Sequence, residues 1–156
     1  LSQKQKRIRK VTILLRNRKI YRLLFAQRSE KLRHKSLTLL SKYATHHLGR
    51  GHNLVETLVD ATAHAEMQAI TAAAQTLGGK YLNQCTLYVT VEPCAMCAGA
   101  IAWSQVRRVV YGAGDDKRGY STFSERIMHP KTQVTRGVLE QECEQLMQRF
   151  FADLRK

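Results

Sequence analysis

Cys85-Thr-Leu-Tyr-Val-Thr-Val-Glu-Pro-Cys-Ala-Met-Cys-Ala-Gly-Ala-Ile-Ala-Trp103 changes character once, at Pro93. Before the proline, Cys85 to Val91 is rich in β-branched and aromatic residues and is bounded by Asn83, which is the composition of a strand. After it, Cys94 to about Ser104 reads as a helix, opened by a proline that suits a first helical turn. Val106 to Tyr111 follows as a second short strand, whose unbroken Val-Val-Tyr end implies burial on both faces. Upstream, Asp60 or Thr62 is a cap for a helix from about Ala63 to Leu77, with Met67, Ile70 and Ala74 on one face and Gly78-Gly79 ending it. Downstream, a polar loop with Gly112, Gly114 and Gly119 leads to a last helix from about Val138 to Leu154, with Val138, Cys143, Leu146, Met147 and Phe150 facing inward. Strands alternating with helices imply an α/β fold whose central strands run parallel and are joined by right-handed crossovers.

A chain of 156 residues suits one domain of ordinary size. Its apolar stretches fall short of the roughly 20 residues a membrane span needs, and no secretory leader pattern opens it, so the expectation is a soluble cytoplasmic protein. Four cysteines, two of them in a Cys-x-x-Cys pair, suit a reducing compartment better than a disulfide framework. The net charge of +14 is unevenly placed: residues 1–50 hold 15 Lys and Arg against the single acid Glu30, whereas residues 51–156 hold 11 bases and 11 acids. Residues 1–48 also contain neither Gly nor Pro, which is atypical of a packed domain. Ile8, Val11, Leu14, Leu15, Tyr21, Leu24 and Phe25 fall near helical spacing and suggest a basic amphipathic helix, although Val11 to Leu15 reads equally as a strand. The sequence thus divides into a basic segment, 1–48, and a domain, 49–156.

The chemistry lies in His64-Ala-Glu66 and, 30 positions after the histidine, in Pro93-Cys94-Ala-Met-Cys97, both at expected helix N-termini. Zinc favours a tetrahedron of nitrogen and sulfur donors, and three protein ligands leave the fourth position open, as in catalytic sites. Cysteine binds as thiolate, and a helix N-terminus lowers thiol pKa through its partial positive charge. An ion held by His64, Cys94 and Cys97 would bring water to reactivity near neutral pH, and Glu66 is placed to act as general acid and base. Cys94 and Cys97 alone would suit a redox pair or half of a structural zinc site equally well; the upstream His-Ala-Glu decides for catalysis. Cys85 and Cys143 read as small core residues, and Trp103 as core or dimer interface. His34, His46, His47, His52 and His129 show no ligand pattern.

His-x-Glu followed by Pro-Cys-x-x-Cys is the pattern of zinc nucleobase deaminases. Here it sits among Gly51-His-Asn53, Asp60-Ala-Thr-Ala-His64-Ala-Glu66, Leu87 to Ile101, Arg108-Val-Val-Tyr-Gly-Ala113 and Phe150-Phe151. From about Gly49 to Phe151 the chain resembles the bacterial-type tRNA-specific adenosine deaminases of the cytidine-deaminase-like superfamily. The resemblance implies a three-layer α/β/α fold with a mixed sheet, a bound Zn2+, a homodimer, and conversion of the wobble adenosine of tRNA anticodon loops to inosine. It implies Asn53 and Ala65 among the substrate-binding positions, Asn53 as the asparagine that holds the purine. Asp115 is implied as the acid on the target ribose 2′-hydroxyl, the group that tells RNA from DNA, and Phe151 as a contact of the loop bases, while Phe150 reads as core. Gly114 departs from the basic residue common before that aspartate. Residues 1–48 do not resemble the family's opening helix, its first β-hairpin or its Pro-Val-Gly-Ala run, which leaves the first hairpin without a sequence counterpart. Three readings of the segment compete: an arm for RNA phosphates, an organelle transit segment, and out-of-frame sequence returning to frame near Gly49. The third is slightly favoured, and Leu1 in place of Met is compatible with it.

Overall fold

In a computed structural model of the chain, which describes residues 37–42 and 46–153 and the side chains of 48–149 and 152, five strands make one mixed sheet. They are β1 (Leu37–Lys42), β2 (His46–His52), β3 (Cys85–Val91), β4 (Arg108–Ala113) and β5 (Gln133–Thr135), in the order β2-β1-β3-β4-β5. β1 is antiparallel to both β2 and β3, while β3, β4 and β5 run parallel. The described helices are α1 (Val55–Leu58), α2 (Ala65–Leu77), α3 (Ala95–Trp103) and α4 (Glu140–Asp153), with two short 3₁₀ turns between β4 and β5.

The parallel half follows the strand-helix-strand reading closely. The register sets Leu87 beside Val109 and Tyr88 beside Val110, so the two faces of the sheet alternate along each strand. Leu87, Val89, Val109 and Tyr111 face a core built with Ala69, Ala73 and Ile101 of α2 and α3. On the opposite face α4 packs on β4, where a side chain at Gly112 would run into Cys143. Buried on both faces, β4 has Val109 to Ala113 all inaccessible, and helices lie on both sides of the sheet as in other α/β domains.

The antiparallel half departs from expectation. The first hairpin, for which the sequence offered no counterpart, is present: β1 pairs with β2 from Leu37↔His52 to Lys42↔His46, with a bulge between Leu40 and Ser41. β2 therefore crosses position 48, and the sheet begins upstream of Gly49. Gly49 and Gly51 weaken the look of a strand in sequence, yet in the fold they admit α2. A β-carbon at Gly49 would overlap Ala69 O and come within 2.8 Å of Ala73 N, and one at Gly51 would overlap Ala65 O. This close approach sets the buried stripe of α2, which is Ala65, Glu66, Ala69 and Ala73. Met67, Ile70 and Ala74, expected to form that face, are only half-buried, because the helix is seated by small residues against glycine and not by its larger side chains.

Smaller corrections concern caps and edges. The N-cap of α2 is His64; Asp60 instead accepts hydrogen bonds from the Thr62 N–H and hydroxyl, both at 2.8 Å, and closes the preceding loop. Gly78 ends α2 in the left-handed conformation at φ 63°, as its position suggested. Gln133 to Thr135, within the stretch read as polar loop, is an edge strand of three residues held by the Gln133 N–H to Arg107 O and by Arg108 to the Thr135 hydroxyl. Trp103 is 85% exposed at the end of α3, which excludes its core reading. Val138, Cys143 and Leu146 are buried as expected, and so is Cys85. The amphipathic helix expected near residues 8–25, and the side chains of Phe150 and Phe151, lie outside what is described. Among the described residues no helix is long and apolar enough to cross a membrane.

Candidate active site

α2 and α3 start side by side beneath the sheet, and each opens on a metal-type donor: the N-cap of α2 is His64 and that of α3 is Cys94. Both have extended backbone, at ψ 157° and 171°. Cys97, one turn into α3, is fully buried, while His64 and Cys94 are half-buried. His64 Nδ1 lies 3.6 Å from Cys94 Sγ and 3.5 Å from Cys97 Sγ. A tetrahedral zinc with Zn–N near 2.0 Å and Zn–S near 2.3 Å separates nitrogen from sulfur by roughly 3.5 Å. The observed spacing is the edge of that tetrahedron, and these three residues are the group able to hold an ion among those described. The donor set, one imidazole and two thiols, is one that zinc accepts in an open site.

Glu66 adjoins the three. It is 7% exposed and lies close enough to the Cys97 thiol to feel its proton. Burial pushes the Glu66 carboxyl up to about 7, with the negative charge of Cys94 adding to the effect and the nearby His64 opposing it. The Cys94 thiol is drawn down to about 5, first by the hydrogen bond from Cys97 and then by the N–H groups of Met96 and Cys97 at the start of α3. Cys97, the donor in that pair, is pushed up by the same bond and by burial. A thiolate, an imidazole and a carboxyl titrating near neutrality are thus gathered at two helix N-termini, where charge binding and proton transfer both become possible.

The other residues singled out from sequence occupy the surrounding loops. Asn53, half-buried, lies between β2 and α1, and its Oδ1 accepts the Val55 N–H at 3.0 Å. Ala65 is buried as the first residue of α2. Asp115 follows β4, and its Oδ1 accepts the N–H groups of Lys117 and Arg118, each at 3.0 Å, closing a turn. Phe151 lies in the last turn of α4. His129 accepts the Lys131 N–H in a remote loop and has no place in the cluster.

Sequence reading missed Glu92, which stands between β3 and the Cys94 turn and is 7% exposed. Its Oε2 accepts the Asp115 N–H at 3.2 Å and its Oε1 the Ser121 N–H at 3.1 Å. The Tyr120 N–H donates to Pro93 O at 2.9 Å, and Gly119 makes a bridge with Cys94. The clue in sequence was an acid beside a proline in an otherwise apolar run; burial alone shows that it is committed inward.

Comparison with known proteins places the chain among deaminases. A family model described as MafB19-like deaminase matches residues 16–155 and so takes in part of the basic segment as well. The chain is 46% identical over 114 residues to a tRNA-specific adenosine deaminase of Bacillus subtilis (strain 168), covering 70% of this chain and 71% of that one. It is 42% identical over 114 residues to a protein of the same name from Haemophilus influenzae, covering 66% of that protein. Among solved structures, one from studies of A-to-I editing by tRNA:A34 deaminases at the wobble position of transfer RNA superposes with a TM-score of 0.64 at 34% identity, over 71% of this chain and 83% of that one. A guanine deaminase from Nitrosomonas europaea gives 0.68 at 26% identity, over 75% and 72%. A histidine and a Cys-x-x-Cys pair at two helix N-termini, a buried glutamate beside them and a match along most of the sequence lead to one assignment: the chain belongs to the MafB19-like deaminase family.

Proposed function

We propose that this chain converts adenosine to inosine by hydrolysis at the wobble position of tRNA anticodon loops, with His64, Cys94 and Cys97 holding a zinc ion and Glu66 moving the protons. The observation that carries the reading is the convergence of His64 Nδ1 and the two sulfurs, 3.5 and 3.6 Å apart, beside the buried Glu66 carboxylate. The 46% identity to a tRNA-specific adenosine deaminase supports the choice of substrate. Zinc bound by these residues supplies a Lewis acid that makes water nucleophilic near neutral pH. Glu66 takes a proton from the water that adds to C6 of adenine, and returns protons to N1 and to the departing amine, so that ammonia leaves and the 6-oxo base of inosine remains. Asn53 and Ala65 contact the purine, Asp115 accepts the ribose 2′-hydroxyl, and Phe151 meets a neighbouring loop base. The chain acts as a homodimer in the cytoplasm, with Trp103, exposed at the end of α3, as a contact of the second copy. Of the three readings of the basic segment, an arm for RNA phosphates fits a tRNA substrate, with the Lys and Arg ahead of β1 adding affinity.

The structural likeness to a guanine deaminase favours a second reading, deamination of a free base on the same scaffold. The two separate by experiment. Purified protein is incubated with unmodified tRNA, whose digest is measured for inosine by mass, and in parallel with guanine, cytosine and adenosine. Inosine at the wobble position with little turnover of the free compounds is the expected result. Turnover of a free base with none in tRNA would establish the second reading, and no turnover of any substrate by zinc-loaded protein would leave an RNA-binding partner subunit.

A further inference from the structure

The loop that carries Asp115 has no helix or strand of its own to hold it. Residues 114–119 leave β4 and come back to the start of α3 before the first 3₁₀ turn at Tyr120. Besides its own turn at Asp115 and backbone contacts to Cys94 and Pro93, one buried side chain ties the loop down. Glu92 is buried just after β3, and its two carboxylate oxygens are divided between the start of this loop and the 3₁₀ turn that follows it: Oε2 takes the Asp115 N–H at 3.2 Å and Oε1 the Ser121 N–H at 3.1 Å. Gly119 lies flat against the same carboxylate, where a β-carbon would sit 2.5 Å from Glu92 Cδ, from its Oε2 and from Asp115 O. The chain at that point also bridges to Cys94 and, through Tyr120, to Pro93. A buried carboxylate between two backbone donors is held by charge-assisted hydrogen bonds, and removing either bond leaves an inward polar group without its partner.

We propose that Glu92 is a positioning residue: it clamps the Asp115 loop onto the turn that presents Cys94, and so fixes the distance between the ribose-reading acid and the metal ligands. The inference deepens the proposed tRNA reading and rests on it for the role of Asp115. It explains why the carboxylate is spent on backbone in a region where Glu66 already serves proton transfer. It also explains why position 119 is glycine, since any side chain there would push the loop off its anchor. Selectivity for a ribonucleotide then depends on a residue that does not touch it, because a shift of the loop moves Asp115 while leaving His64, Cys94, Cys97 and Glu66 in place.

The test uses two variants that disturb the clamp from opposite sides. Glu92→Gln keeps the shape but replaces one acceptor with an amide NH₂ aimed at a backbone N–H, and Gly119→Ala leaves Glu92 intact while crowding its carboxylate. Each is assayed on an anticodon stem-loop with adenosine at the target position and on the same stem-loop with a single 2′-deoxyadenosine there. Zinc content and amide hydrogen exchange are measured alongside. The expected result is full zinc content, faster exchange across residues 114–121 but not across 94–103, and a roughly ten- to hundredfold loss of kcat/KM on the ribo substrate, taken mainly in KM. The deoxy substrate is expected to lose far less, so that discrimination collapses as it does in Asp115→Ala, and Glu92→Gln combined with Asp115→Ala is no worse than Asp115→Ala alone. Equal losses on both substrates, or exchange at 114–121 that does not change, would overturn the inference. If Glu92→Gln fails to fold, Gly119→Ala gives the same readouts. A wild-type protein inactive on both stem-loops would count against the tRNA reading, and the exchange comparison would still decide whether Glu92 holds the loop.

Discussion

At the scale of single residues, the site is a problem in gathering charge where water is scarce. Cys94 and Glu66 are both anionic candidates within a few ångströms, and burial makes each costly to ionise. The structure resolves the conflict by shared protons and helix N-termini: Cys97 donates to Cys94, whose thiol falls to about 5, and Glu66 rises to about 7. A divalent ion held by His64, Cys94 and Cys97 would offset the remaining negative charge and draw Glu66 back down. The sign of the pH dependence follows. Glu66 must be ionised to accept a proton and becomes protonated as pH falls, so kcat/KM is expected to decline on the acid side with a limb at or below about 7 and to level above it. A steady-state profile between pH 4.5 and 8.5 checks this, and a flat profile would remove Glu66 from the proton path. These four residues were legible in sequence because donor type and spacing carry the chemistry directly. Glu92 was not, since nothing in a Val-Glu-Pro-Cys run says which way the carboxylate faces.

The secondary-structure elements show a different balance. β3, α3 and β4 were legible because β-branched and aromatic runs mark the strands and Pro93 separates β3 from the apolar helix that follows it. The hairpin was not, because Gly49 and Gly51 weaken the strand pattern in β2 for a reason that exists only in three dimensions, the seating of Ala65, Ala69 and Ala73. β5 escaped notice as three polar-flanked residues at an edge. If glycine seats α2, Gly51→Ala forces a methyl against the Ala65 carbonyl and should destabilise the fold by about 1–3 kcal/mol. Because Ala65 lies between His64 and Glu66, the same variant is expected to lower zinc affinity; denaturant midpoints with and without added zinc measure both effects. On the opposite face, burial pushes the Cys143 thiol up to about 12 from an ordinary value of 9. A thiol whose folded pKa is raised contributes stability below pH 9 and loses it as pH climbs towards 12, because unfolding then releases a proton. The fall in unfolding free energy between pH 8 and 11 should therefore be smaller in Cys143→Ala than in wild type, even though the variant starts less stable at pH 8. An unchanged slope would show that Cys143 is not shielded between α4 and β4.

For the molecule as a whole, the fold supplies a neutral scaffold and the chain's charge lies elsewhere: residues 51–156 balance 11 bases with 11 acids, while the excess of +14 belongs to the first 50. Binding to RNA that depends on such charge is sensitive to salt, because phosphate contacts release counterions. Affinity for tRNA is expected to drop about tenfold or more between 50 and 200 mM salt, and replacing Lys4, Lys6, Arg7, Arg9 and Lys10 with Gln should weaken binding and flatten the dependence. Filter or anisotropy titrations at several salt concentrations read both, and an unaltered slope would confine recognition to the deaminase domain. Composition made this asymmetry legible at once, whereas the sheet's reach upstream of Gly49 needed the strand pairing to reveal it.

The central claim is that His64, Cys94 and Cys97 hold one zinc ion and that Glu66, beside them, carries the protons of adenosine deamination. The most direct measurement determines zinc per chain by elemental analysis and inosine in tRNA by mass, on the same preparations of wild type and Glu66→Ala. One zinc per chain is expected in both proteins, with inosine at the wobble position for wild type and a loss of turnover of at least about a hundredfold in Glu66→Ala. Equal inosine formation by the two proteins, or zinc-loaded wild type that forms none, would contradict the claim.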